Sequence, residues 1–245
     1  MTQNPATTPD IPVPANRPLV GVFWMLVTGA CFIGVTALVK YMGPRLPSAE
    51  AAFLRYAMGL VFILPILRSL LATPVSKRQW GLFGMRGFFH SGGVILWFYA
   101  MTRLPIAEVT AMNYLAPIYV TVGAAIFLGE KLAARRIVAV CLGLAGAAII
   151  LRPGFREVST GHLAMLLAAV VFAGSYLLAK VLADEARPVM IVTMLSIFVT
   201  IGLAPFAFTV WITPTAQELL ILAGVAFFAT AGHFTMTLAF AAAPV

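Results

Sequence analysis

The chain has 245 residues, of which 62% are hydrophobic and only 10% charged, and it carries a net charge of +8. A soluble domain, with about 45–50% apolar and about 25% charged residues, has no interior large enough for so much apolar surface, so lipid must receive it. In a soluble protein the positive balance would point to nucleic acid, but here the cations lie in short segments between apolar runs and read as topology signals.

In chain order, residues 1–18 carry Pro5, Pro9, Pro12, Pro14 and Pro18 without a basic run, which predicts a disordered cytoplasmic tail and not a signal peptide. Eight apolar stretches follow, at about 19–39, 49–71, 80–101, 105–127, 135–151, 161–182, 188–211 and 217–240. Most reach the roughly 20 residues that a helix needs to cross about 30 Å of hydrocarbon. Their continuity excludes the alternating pattern of a transmembrane barrel. With the N-terminus inside, Arg17, Arg68, Lys77, Arg78, Lys131, Arg135, Arg136, Lys180 and Arg187 lie on the cytoplasmic side, against Lys40, Arg45, Arg103, Arg152 and Arg156 outside. The excess favours that orientation.

In the first two spans, Trp24 reads as an interfacial anchor, as do Trp80 and Trp211 further on. Cys31, with Cys141 of the fifth span, reads as a small packing residue. Arg55 follows Glu50 at the spacing of an intrahelical pair one residue longer than ideal, and pairing with another helix is as open to it as contact with a solute. The third span, RGFFHSGGVILWFYA, brings Arg86, His90 and Trp97 roughly onto one face beside Gly92 and Gly93. Such a face can line a polar cavity; alternatively Arg86 snorkels to the interface and His90 bonds a backbone carbonyl.

In the fourth span Glu108 lies in the first turn after Pro105, where a carboxylate favours the positive end of the helix; it is also the one candidate acid for proton coupling. Deeper in, Thr110, Asn113, Tyr114 and Pro117 place hydrogen-bonding groups beside a kink near the midplane, a candidate solute contact. Tyr176, next to Ser175 in the sixth span, and His233 in the eighth offer comparable groups.

The chain also resembles itself. At an offset of 140, Gly21, Met25, Leu26, Phe32, Gly34, Leu38 and Lys40 match Gly161, Met165, Leu166, Phe172, Gly174, Leu178 and Lys180. At an offset of 139, Phe88, Phe89, Gly93, Ala100 and Pro105 match Phe227, Phe228, Gly232, Ala239 and Pro244. Equivalent helices are five spans apart, an odd number, so the second unit is expected to be inverted, an architecture of secondary transporters. On this repeat the first unit continues for two spans beyond the point at which the second ends, so the chain is expected to be a fragment of a ten-helix protein or an eight-helix form.

FLGEKL after the fourth span, LGLAGAAIILRPG in the fifth, FIGVTALVK and FLR in the first two, and the alanine-rich approach to Pro244 and Val245 resemble the EamA-like branch of the drug/metabolite transporter superfamily. The resemblance implies an all-α integral membrane protein with two inverted five-helix units, ten helices in the family and about eight here. It implies a first unit over 19–152, a shortened second unit over 153–245, and both termini cytoplasmic. It also implies a central cavity, which by helix membership would include Trp24, His90, Trp97, Asn113, Tyr114, Tyr176 and His233, with Arg86 added from its place on the third span.

The expected function is secondary, not ATP-driven, transport of small organic metabolites across a bacterial inner membrane by alternating access. It leans towards uptake of a cofactor-like solute such as S-adenosylmethionine or riboflavin, with export of amino acids or drugs as the alternative. The expected partners are a solute and membrane lipid, with no nucleic acid, resident cofactor or metal. An intramembrane enzyme would need a nucleophile with its base or a metal cluster; the sequence has no G-x-S-x-G, no H-E-x-x-H and no paired aspartates. A nontransporting scaffold would have no use for Thr110, Asn113 and His90 inside spans.

Overall fold

The computed structural model describes residues 17–71, 74–129, 134–151 and 158–242. Among them every regular element is helical: α1 (Pro18–Met42), α2 (Ser48–Leu71), α3 (Lys77–Met101), α4 (Ile106–Asn113), α5 (Leu115–Phe127), α6 (Ala134–Leu151), α7 (Thr160–Ala183), α8 (Pro188–Thr209) and α9 (Ala216–Ala242). By length and composition five stretches can cross a membrane: α1, α4 with α5, α7, α8 and α9. The chain is therefore a multi-pass membrane protein. The tail through residue 16, the segment with Glu130 and Lys131, the cations Arg152 and Arg156, and Pro244 and Val245 lie outside the described residues.

The eight predicted stretches coincide with these helices, with one difference. The span over 105–127 is not one kinked helix but two, broken at Tyr114. Pro117 has no N–H to donate to the Asn113 carbonyl four residues earlier, and its ring crowds that carbonyl. The Tyr114 amide instead closes a tight turn onto the Ala111 carbonyl at 3.2 Å. The break lies one turn before the proline, where the missing donor is felt.

The bundle is organised around helix pairs. α1 and α9 pack antiparallel along their whole length: the Arg17 amide donates to the Ala242 carbonyl at 3.0 Å at one end, and Arg45 pairs with Glu218 at the other. α3 and α7 form a second antiparallel pair, joined by Arg78 with Glu185 at one end and by Tyr99 with Thr160 at the other. α2 and α8 form the third, and α2 also reaches α9 as α8 reaches α3. α1 and α3 touch only sparsely, as do α7 and α9.

Small residues let these pairs close. A Cβ on Gly34 would lie 3.4 Å from the Phe228 ring, and one on Gly174 would lie 3.5 Å from Phe89. A Cβ on Gly93 would meet Phe172 at 2.7 Å, and one on Gly232 would lie 3.4 Å from Phe32. At Gly87 the added carbon would overlap the Phe198 Cβ, an atom with no freedom to swing aside. Gly87→Ala is expected to destabilise the bundle by about 1–3 kcal/mol through overpacking. Gly81→Ala, where an added Cβ meets nothing within 4 Å, is expected to leave stability unchanged or slightly raised. Thermal unfolding of the two variants in detergent checks the contrast.

Candidate functional site

Between the α1/α9 and α3/α7 pairs lies a cavity of about 150 Å³, closed on a third side by the broken α4–α5 span. Thr28, Phe32 and Thr36 line it from α1, Thr110, Asn113 and Pro117 from α4–α5, Tyr176 from α7 and Met236 from α9. Phe32, Asn113 and Tyr176 also belong to a deeper, narrower chamber of about 20 Å³, completed by Arg55, Tyr56, His90, Trp97, Phe172 and His233. The space is thus a wide apolar room with a tight polar and aromatic end.

His90 organises that end. Its Nδ1 lies 3.0 Å from the Ser175 hydroxyl, which ties α3 to α7. Around it stand the rings of Phe172 and His233, both centred 5.0 Å away, Tyr56 at 5.9 Å and Tyr176 at 6.2 Å. Phe32 meets His233 edge-on at 5.3 Å, and Phe172 stacks on Tyr176 with ring planes 13° apart. Gly93 lets Phe172 reach this position, since a side chain there would occupy the place of its ring.

The Arg55 guanidinium lies 3.8 Å from the centre of the Tyr56 ring, a cation–π contact. Arg55 Nε, the Tyr56 hydroxyl, Trp97 Nε1 and His233 Nδ1 are all buried and have no hydrogen-bond partner among the described residues. Four of the seven such atoms among the described residues gather around this one chamber. No carboxylate lines either chamber among the described residues.

Of the residues singled out from sequence, His90, Trp97, Asn113, Tyr176 and His233 come together at the deep chamber, and Tyr114 lines the wide one. Trp24 is half-buried and stands outside both; its ring meets Phe23 edge-on at 5.2 Å and its carbonyl accepts from Thr28 at 2.8 Å. Arg86 also stands outside the linings. It does not snorkel: the side chain is fully buried and Nη1 donates to the Ile191 carbonyl of α8 at 2.9 Å, while Nε and Nη2 are unpartnered.

The intrahelical reading of Glu50 is also corrected, because its carboxylate accepts the Ile212 amide at 2.8 Å, across to the segment before α9. Glu108 sits in the first turn of α4 as expected, and its Oε2 also lies 3.1 Å from His162 Nε2 on α7. Phe32, Tyr56 and Phe172 were not anticipated. Phe32 and Phe172 match at the offset of 140, and that identity was the signal available for them. Among the described residues no three His, Cys, Asp or Glu side chains cluster as a metal site.

A model of the EamA-like transporter family matches residues 19–152. The chain belongs to that family. It is 32% identical over 217 residues to a riboflavin transporter of Vibrio cholerae serotype O1, covering 86% of this chain and 73% of that protein. A riboflavin transporter of Rhizobium johnstonii is 32% identical over 240 residues, with 96% and 78% covered. An S-adenosylmethionine uptake transporter of Rickettsia bellii is 25% identical over 203 residues, with 83% and 70% covered. A crystal structure of a protein 20% identical in sequence superimposes with a TM-score of 0.62 over 92% of this chain and 83% of that one, a likeness of fold. Membership in this family makes the chain a transporter of small metabolites and not an enzyme.

Ser175→Ala removes the partner of His90 Nδ1 in a buried setting, and the expected cost is about 1–3 kcal/mol. A lowered thermal midpoint in detergent, at unchanged helical content, checks it.

Proposed function

We propose that this transporter takes up a planar, ring-bearing metabolite, riboflavin or S-adenosylmethionine in character, across a bacterial inner membrane by alternating access. The observation that carries the reading is the deep chamber, where four unpartnered polar groups are set among the rings of Phe32, Tyr56, His90, Phe172 and Tyr176. Ring faces suit a flat heterocycle, and unpartnered N–H groups of Arg55 and Trp97 suit its carbonyl or nitrogen edge. The deep chamber has room for about one water, so only such an edge enters it, while the bulk of the solute occupies the wide room beside Asn113 and Tyr114. Absence of a carboxylate from the lining among the described residues disfavours a simple cationic amine. The names of the relatives agree in kind, since riboflavin and the adenine of S-adenosylmethionine are both flat heterocycles.

Alternating access follows from an inverted repeat, with one unit over 19–152 and the second from 153 onward. The pairing of helices supports it. Exchanging the two units turns α1 on α9 into α7 on α3 and leaves α2 on α8 unchanged, so the set of pairs maps onto itself. The glycine contacts follow the same exchange: Gly34 with Phe228 becomes Gly174 with Phe89, and Gly93 with Phe172 becomes Gly232 with Phe32. The excess of cations favours a cytoplasmic N-terminus.

Trp97→Phe keeps an aromatic ring but deletes the unpartnered N–H together with part of the buried indole. It is expected to cost about 1–2 kcal/mol of packing and to weaken solute affinity by about tenfold. Arg55→Gln is expected to act in the same direction. Uptake of tritiated riboflavin and S-adenosylmethionine into proteoliposomes checks both. No flux of either compound with folded wild-type protein would sink this choice of solute.

A further inference from the structure

Two loop contacts at opposite ends of the bundle are the same contact in the two repeat units. At the start of α9, Thr215 and Glu218 form a capping box: the Thr215 amide donates to Glu218 Oε2 at 2.7 Å and the Glu218 amide to Thr215 Oγ1 at 3.3 Å. At the start of α3, Ser76 and Gln79 do the same, at 2.9 and 3.1 Å. These residues are related by the offset of 139.

In both boxes the third-position side chain has a second task. Glu218 accepts Arg45 Nε at 2.6 Å, from the turn between α1 and α2, and Arg45 Nη2 also reaches the Thr213 carbonyl at 3.3 Å. Gln79 Nε2 donates to the Glu185 carbonyl at 3.0 Å, in the turn between α7 and α8, and neighbouring Arg78 pairs with the Glu185 carboxylate. Arg45 and Glu185 are related by the offset of 140. The unit exchange therefore converts one contact into the other while reversing which side carries the positive charge. The two contacts lie at opposite ends of α2, a helix of 24 residues and so about 36 Å long.

Each contact joins members of one antiparallel pair, α1 with α9 or α3 with α7, and neither crosses from one pair to the other. Among the described residues, a direct side-chain bond that does cross is of a different kind. Lys40, at the end of α1, donates to the Leu104 carbonyl at 2.9 Å, and its Nζ lies 3.5 Å from the Met101 carbonyl, at the end of α3. It joins the two pairs at the face where α1 and α3 end. Its repeat equivalent is Lys180, in the last turn of α7 at the opposite face.

We propose that Arg45–Glu218 and Gln79/Arg78–Glu185 are positioning residues that staple α1/α9 and α3/α7 into two rigid levers, which swing against each other over the solute chamber while both staples stay closed and the Lys40 contact opens. The inference rests on the alternating-access reading above. It requires motion to lie between the pairs, where contacts are sparse, and not within them.

Reversible cross-linking tests it. In a background with Cys31→Ala and Cys141→Ala, the double variants Arg45→Cys with Glu218→Cys, Gln79→Cys with Glu185→Cys, and Lys40→Cys with Leu104→Cys are each bridged by a cleavable bis-methanethiosulfonate reagent. Riboflavin flux into proteoliposomes is read before bridging, after bridging, and after reduction. Bridging either staple is expected to leave at least half of the flux. Bridging Lys40 to Leu104 is expected to reduce it to less than a tenth, with recovery on reduction; since the same protein is read in each state, folding defects cancel. Loss of flux on bridging a staple, or full flux with Lys40 bridged to Leu104, overturns the lever assignment. Absence of flux from the parent protein before any bridging would instead tell against the proposed transport of riboflavin.

Discussion

A polar atom enclosed in a bundle that is itself surrounded by hydrocarbon can be satisfied by another protein group, by an enclosed water or by a guest. That constraint makes the described chain helical, because only a helix satisfies its own backbone in lipid. It also gives the interior its meaning. The Tyr114 amide, displaced by Pro117, finds Ala111; His90 finds Ser175; Glu108 finds His162; Arg86 finds the Ile191 carbonyl. Against this background the unpartnered atoms of Arg55, Tyr56, Trp97 and His233 stand apart, because they gather around a single chamber. A transporter must hold such groups ready for a solute and yet tolerate the empty state. The rings around them help, since Tyr56 offers its face to the Arg55 cation in the meantime.

The same constraint explains why the glycines matter more than their bulk suggests. Between helices in lipid there is no hydrophobic driving force, so close approach and dispersion carry association. Gly34 and Gly174 each admit a phenylalanine of the helix packed against them, and Gly93 and Gly232 each admit one that also lines the chamber. Packing and the chamber's shape are thus coupled at Phe32 and Phe172: each fills a glycine notch with part of its ring and offers the remainder to the cavity. Change at Gly93 or Gly232 would therefore be felt as a change of affinity as well as of stability.

Much of this was legible in the sequence. Span lengths set the helices, and the 140 and 139 offsets drew attention to Gly34, Gly93, Phe32 and Phe172 before any contact was known. His90, Trp97, Asn113, Tyr176 and His233 were found by asking which polar or aromatic side chains lie inside spans, and they meet at one chamber. Arg86 met the same criterion but faces α8, because helical spacing fixes angular position only roughly and says nothing of which neighbour stands opposite. Trp24 entered through helix membership alone, and its position on α1 leaves it outside both chambers. Tyr56 and the pairing of Glu218 with Arg45 were invisible, since each depends on which distant turn comes alongside, information that local pattern does not carry.

The central claim is that the chamber between the two helix pairs binds a flat heterocycle by ring contact. Riboflavin is itself fluorescent, and stacking against aromatic side chains quenches its emission. Titration of riboflavin with detergent-purified protein is the most direct measurement, made on wild type and on Tyr176→Leu combined with Phe172→Leu. The account predicts saturable quenching with wild type and its loss in the double variant at unchanged helical content. Equal quenching in both proteins would contradict it.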